Sequence, residues 1–203
     1  MATKRTDSQI FKDILTPRKR KTAEEMELLF RDFFNYIGDS ADRPELADTP
    51  YRVIKSWEKL YGGYAENPDR IFKLFKCDDN NELIILRDID FYSTCEHHLL
   101  PFFGEIHVGY IPDGKITGIS KLARVCELFA RRLQLQERLV NNIADEIEKR
   151  LCPKGVIVTA KAQHFCMTSR GIQKQKTKMI TTATRGLFKN HERRTEFFRM
   201  LSL

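Results

Sequence analysis

The stretch Gly104–Gly114, GEIHVGYIPDG, decides the fold. Ile106, Val108 and Tyr110 recur at every second position, the period of a strand with one buried face. Pro112-Asp113-Gly114 then reads as a turn. Beyond it the period changes. In SKLARVCELFARRL, Leu122, Val125, Cys126 and Phe129 fall on one helical stripe. In QERLVNNIADEIEKRL, Leu139, Ile143, Ile147 and Leu151 do the same, with Asp145–Lys149 and Glu146–Arg150 spaced as i,i+4 pairs. Cys152-Pro153-Lys154-Gly155 ends that helix, and GVIVTAKAQ and the Thr-rich TKMITTATRG follow as strands. Upstream, ELIILRDIDF runs into FYSTCEHH as another strand, with Ile89 and Phe91 alternating with Asp88 and Asp90. The order is therefore ββααββ. Antiparallel pairs flanking two helices predict an α+β fold rather than a parallel α/β sheet.

Ahead of this region the periodicity is helical throughout. Thr22 with Glu25 forms a capping-box pattern, and Met26, Leu29, Phe33 and Ile37 recur at helical spacing. DTPYRVIKSWEKLYGGY predicts a second helix, with Thr49 as cap, Pro50 in the first helical position and Gly62-Gly63 as the stop. The expected organisation is a basic tail over 1–21, a helical region over 22–80 and a catalytic domain over 81–203.

The chain has 203 residues, 41% hydrophobic and 31% charged, the profile of a soluble globular protein. No apolar run approaches the ~18 residues of a membrane span, and no secretory h-region opens the chain. The net charge of +7 is concentrated at the N-terminus, where residues 1–22 carry +5. The run Arg18-Lys19-Arg20-Lys21 could touch nucleic acid or serve as an address, but a solvated tail is the simpler reading. Five cysteines, Cys77, Cys95, Cys126, Cys152 and Cys166, are odd in number and irregularly spaced. That favours a reducing cytoplasm over a disulfide scaffold. Cys77, Cys126 and Cys152 read as small buried hydrophobes.

Cys95 and Cys166 stand apart because histidines surround them. STCEHHLLP, Ser93 to Pro101, places a cysteine, a carboxylate and two histidines in four consecutive positions. AQHFCMTSRG, at the end of a later strand, adds His164 and Cys166. A catalytic zinc takes three protein ligands and keeps one position open. Cys95, His98 and Cys166 would make such a site if the hairpins pair, leaving His97 and His164 for proton transfer. Spacing alone does not decide which of His97, His98 and His164 is the ligand. The signature of a zinc deaminase is absent.

Ser120, Lys121 and Arg124 fall at the start of a helix, where cations and free N–H groups could hold a phosphate; a solvated helix face is the plainer reading. Glu137, after Gln136, could complement the helix dipole or accept from the N–H/NH2 edge of a guanine. Arg170 adds a cation four residues past Cys166.

Together STCEHHLLPFFGEIHVGYIP, GISKLARV, RRLQLQERL, AQHFCMTSRG and TTATRGLF resemble the zinc-dependent GTP cyclohydrolase I family, with weaker similarity at DTPYRV and TEFFRM, over roughly residues 45–200. Ile119, Leu133 and Leu135 are apolar departures from the usual pattern that touch no assigned role. The resemblance implies the tunnelling fold: an antiparallel sheet with two helices on one face, preceded by an N-terminal helical region. It implies hydrolysis of GTP to 7,8-dihydroneopterin triphosphate and formate, in the cytoplasm, by a homodecamer of two stacked pentamers with active sites at subunit interfaces. Carried over by motif, Cys95, His98 and Cys166 would hold one Zn2+ per subunit. His97 and His164 would be the acid/base pair, with Ser120 at the ribose. Glu137, helped by Gln136, would hold the guanine. Lys121, Arg124 and Arg170 would hold the triphosphate, with Arg52 arriving from a neighbouring subunit. The competing readings are a purine- or pterin-binding relative with different chemistry, and a non-enzymatic zinc module with a nucleic-acid-binding tail. The product could feed folate, tetrahydrobiopterin or deazapurine routes.

Overall fold

Thr22 closes a capping box at the first described residue. Its hydroxyl accepts from the Glu25 amide at 3.1 Å, and the Glu25 carboxylate accepts from the Thr22 amide at 2.7 Å. The computed structural model describes residues 22–78 and 81–202. The basic tail expected over 1–21 lies outside the described residues. These fall into two compact units that divide between Ala65 and Glu66.

The N-terminal unit contains α1 (Ala23–Tyr36) and α2 (Thr49–Leu60). The helix α1 forms as expected, but its buried face differs from the expected stripe. Leu29, Phe33 and Ile37 are 42%, 49% and 56% exposed, and Phe34 is the buried residue. The Phe30 ring meets Trp57 of α2 at 5.6 Å, so the aromatic contact, rather than the i,i+4 stripe, sets which side of α1 faces inward. Asp48, not Thr49, occupies the N-cap of α2, and Pro50 sits in its first turn.

The second unit is built on a sheet. Among the described residues, β1 (Leu74–Lys76) pairs only with the later β4 (Lys115–Thr117). β2 (Ile84–Cys95) and β3 (Pro101–Ile111) form the first long hairpin. α3 (Ile119–Ala130), β5 (Leu133–Gln134) and α4 (Gln136–Leu151) follow. β6 (Gly155–His164), the short α5 (Phe165–Thr168), β7 (Met179–Gly186) and α6 (His191–Leu201) complete the chain. The five-stranded sheet has the order β5-β2-β3-β6-β7. The ββααββ α+β order predicted from sequence is present. All long strands pair antiparallel; only the two-residue β5 runs parallel to β2.

α3 and α4 cover one face. Leu122, Val125, Cys126 and Phe129 of α3 and Leu139, Ile143, Ile147 and Leu151 of α4 join Phe91, Ile106, Val108 and Tyr110 in a single core. Burying a leucine or isoleucine side chain is worth about 1.5–3 kcal/mol, so these two stripes supply much of what holds the layers together. The other face carries a smaller cluster of Ile111, Ile157, Phe188 and Phe197. There the Phe197 ring of α6 lies against Gly109, where an added Cβ would come within 2.8 Å of it.

Several local expectations change. Glu146 pairs with Arg150 at 2.7 Å, but Asp145 reaches across to Arg185 of β7 at 2.6 Å. Cys152 is exposed in the left-handed cap of α4, Cys77 is half-buried, and only Cys126 of the three is buried. Burial pushes the Cys126 thiol up to about 12, which leaves it inert at neutral pH.

Candidate metal centre and active site

Two strand ends meet because β3 pairs with both hairpin partners. Thr94 of β2 faces Pro101, and Phe102 faces His164 of β6. This register carries Cys95, the last residue of β2, towards the chain leaving β6. Past Cys95 the chain turns back at once: the Cys95 amide donates to the Leu100 carbonyl at 2.8 Å, and the Leu99 amide to Cys95 at 2.9 Å. Leu99 takes a left-handed conformation, φ 54°. The tight turn presents His97 and His98 with their rings 6.2 Å apart and nearly perpendicular. Cys166 arrives on α5, immediately after β6.

The sulfurs of Cys95 and Cys166 and a ring nitrogen of His98 all lie within 4.8 Å of one another. Tetrahedral zinc with these donors sets ligand-to-ligand separations of about 3.5–3.8 Å, so small side-chain adjustments close the site. Two sulfurs and an imidazole suit a soft or borderline cation. Burial, followed by the neighbouring Cys95 sulfur, pushes the Cys166 thiol up; a bound cation reverses that effect and favours thiolate. Geometry thus groups His98 with the two cysteines, the choice that spacing left open.

His164, the final residue of β6, is held beside this cluster. Its ring stacks on Phe102 with centroids 4.6 Å apart and planes 4° apart. Nε2 lies 2.8 Å from Gln136 Oε1. Burial lowers the His164 pKa, and the nearby Glu137 carboxylate opposes that shift. Glu137 is exposed in the first turn of α4. Gln136 is 1% exposed, and its amide nitrogen donates to the Ala160 and Met179 carbonyls and to Thr181 Oγ1. Its side chain is therefore committed within the protein. Arg170 lies in the bend after α5, close enough to Cys166 to favour its thiolate.

Ser120, Lys121 and Arg124 occupy the first turns of α3, which begins at Ile119 after the N-cap Gly118. Ser120 and Arg124 are exposed and Lys121 is half-buried. Arg52 lies on α2 of the N-terminal unit, 3.5 Å from Asp48.

Two contributors have no role in the sequence reading. Glu96, inside the turn that carries His97 and His98, bonds Arg138 of α4, which holds its carboxyl below the usual range. Phe102 supplies the platform under His164. Glu96 was visible as a carboxylate between two candidate ligands, but nothing in the spacing joined it to Arg138, 42 residues on.

The GTP cyclohydrolase I family model matches residues 26–202. The chain belongs to the GTP cyclohydrolase I family. It is 52% identical to GTP cyclohydrolase 1 of Wolinella succinogenes over 174 residues, covering 85% of this chain and 93% of that one. It is 48% identical to the enzyme of that name from Helicobacter pylori over 181 residues, covering 87% and 99%. The counterpart from Carboxydothermus hydrogenoformans is 48% identical over 166 residues, covering 81% and 86%. Among solved structures, the apo form of archaeosine synthase QueF-Like matches 51% of this chain and 93% of its own, with TM-score 0.42 and 22% identity. No helix among the described residues of this family member is long and apolar enough to cross a membrane.

Proposed function

We propose that this GTP cyclohydrolase I family member opens the imidazole ring of GTP hydrolytically, then rearranges and recloses it to 7,8-dihydroneopterin triphosphate with release of formate. The observation that carries the reading is the convergence of Cys95, His98 and Cys166 in a member of this family. His164 ends the strand two residues before Cys166, and Glu137 lies near enough to act on its charge. The reaction belongs to pterin biosynthesis.

Cys95, His98 and Cys166 would hold one Zn2+ per subunit, which would supply Lewis-acid activation of water near neutral pH. The chain's own groups do the rest. His164 donates a proton towards purine N7, making C8 a better electrophile. His97 shuttles protons during ribose opening and rearrangement, with Ser120 at the ribose. Glu137 accepts from guanine N1–H and the 2-amino group. Adenine lacks the N1–H and carries its amino group at C6, so it leaves that carboxylate unpaired. Lys121, Arg124 and Arg170 hold the triphosphate, joined by Arg52 from a neighbouring subunit. These contacts keep the opened intermediate in place for reclosure, which is catalysis by positioning. Gln136, with its side chain used inside the protein, acts indirectly through His164. The subunits assemble as two stacked pentamers in the cytoplasm.

The test is turnover of GTP by the zinc-loaded protein, followed as a fluorescent pterin after oxidation and as formate. Cys166→Ala should lose zinc and product together. His164→Ala should keep zinc and lose product. A zinc-replete, decameric wild type that releases no formate from GTP overturns the reading in favour of a purine- or pterin-binding relative.

A further inference from the structure

The Gln136 amide can face only one way. Its nitrogen lies 3.0 Å from the Ala160 carbonyl oxygen and 3.1 Å from that of Met179. Carbonyls only accept, so turning the amide over would set three oxygens against one another in a buried site. Thr181 Oγ1, at 3.1 Å, is a third acceptor on the same side. Oε1 is thereby aimed at His164 Nε2, 2.8 Å away. An amide oxygen also only accepts. His164 Nε2 must therefore carry a hydrogen whether the ring is neutral or charged. Phe102, fully buried, stacks flat under the same ring and removes its freedom to tip.

We propose that Gln136 is a positioning residue: it fixes His164 as the Nε2–H tautomer, so that Nδ1 alone exchanges a proton with the substrate. The chain of contact runs from the backbone of β6 and β7, through Gln136, to the ring. The sheet itself thus sets which nitrogen is available, as an orienting partner does for other catalytic histidines. The inference rests on the reading of His164 as a proton carrier, and its test separates the two.

The experiment is solid-state 15N NMR of the zinc-loaded enzyme labelled at histidine, with His164→Ala identifying the His164 signals by difference. The expected spectrum has hydrogen on Nε2 at every pH sampled, with Nδ1 taking up a hydrogen only as the ring becomes charged. Gln136→Met, which keeps the length but not the oxygen, should show both tautomers. It should lower kcat by about 10- to 100-fold, the usual cost of removing an orienting partner, with zinc content and KM held. Gln136→Glu restores an acceptor and should recover the Nε2–H signal and some of the lost kcat. A wild-type spectrum with hydrogen on Nδ1 and none on Nε2 overturns the proposal without any variant, as does a Gln136→Met enzyme with full kcat. Should Gln136→Met not assemble, the wild-type spectrum decides, together with Thr181→Val, which is expected to broaden the tautomer signal. A fully active His164→Ala enzyme would sink the proton-carrier role, while the spectrum still judges the tautomer.

Discussion

Arg138 Nη2 lies 2.5 Å from Glu96 Oε1, so the first turn of α4 is tied directly to the turn that carries His97 and His98. A backbone bond from the Glu96 amide to the Gln134 carbonyl, at 3.2 Å, runs alongside it. Gln136 therefore meets His164, while Arg138, two residues on, meets the turn that carries His97 and His98. Arg138→Met should lower kcat/KM for GTP about tenfold through misplacement while leaving zinc content unchanged, and Arg138→Lys should recover some of the loss. Steady-state kinetics with metal analysis on the same samples checks both. Loss of zinc in Arg138→Met would mean that the pair holds the ligands themselves.

Glu137→Gln exchanges an acceptor for a group that meets guanine N1–H with its own N–H or with a neutral oxygen. Loss of a charged hydrogen-bond partner costs about 1.5–3 kcal/mol. The expected result is a fall of about 10- to 100-fold in kcat/KM for GTP, with the fold unchanged by circular dichroism. An unaffected kcat/KM would remove Glu137 from the guanine site.

Chelation gives a chemical readout of the ligand set. All five cysteines are free thiols. Cys152 is exposed and should react with a thiol reagent in every state, whereas Cys126 is buried. Removing the metal should unmask the half-buried Cys166, adding at least one reactive thiol as activity is lost, and zinc should reverse both changes. A thiol count that does not change on chelation contradicts the assigned ligands.

Gly104 faces Ala162 across β3 and β6, where an added Cβ would run into the Lys161 carbonyl oxygen. The two strand backbones would have to separate close to Phe102, the platform under His164. Gly104→Ala should destabilise the fold by roughly 3 kcal/mol, the upper end of ordinary overpacking, as a lower urea midpoint at an unchanged slope.

His107 gives the stability a pH dependence away from the active centre. Burial lowers its pKa, against the pull of Asp88 and Glu105, while Arg87 and Lys161 act with burial. Its Nδ1 accepts from the Asp88 amide at 3.0 Å. With the folded pKa below the unfolded value of about 6.5, the unfolded chain takes up the proton first. The contribution is therefore present above that value and is lost as pH falls through the folded pKa. His107→Gln keeps an acceptor and cannot titrate, so its urea midpoint should fall less than that of the wild type between neutral pH and pH 5. Parallel declines would show that His107 is not the group responsible.

Much of this molecule is local and was legible in one dimension. The period-two run Ile106-Val108-Tyr110 and the stripe Leu139-Ile143-Ile147-Leu151 are buried as their spacing requires, because a strand or helix can hide only one side of itself. The capping box at Thr22 and Glu25 closes within four residues and needs no distant partner. The candidate donor types were also readable, a thiol with two histidines after one strand and a histidine with a thiol after another.

What the chain could not decide alone depends on register and on side chains that meet from far apart. The face of α1 that is buried follows from Trp57 on another helix. Asp145 leaves its i,i+4 neighbour for Arg185 because β7 passes alongside α4. The grouping of His98, rather than His97, with Cys95 and Cys166 follows from a turn that closes on Leu99 and from the pairing of Phe102 with His164. Gln136 resembles a ligand contact until the β6 and β7 carbonyls close around its amide. Sequence determined the buried stripes and the donor types along each segment, because periodicity and donor type are properties of short segments. Tertiary structure decided which atoms of those residues face one another, because a hydrogen bond acts over about 3 Å between groups that the chain separates by tens of residues.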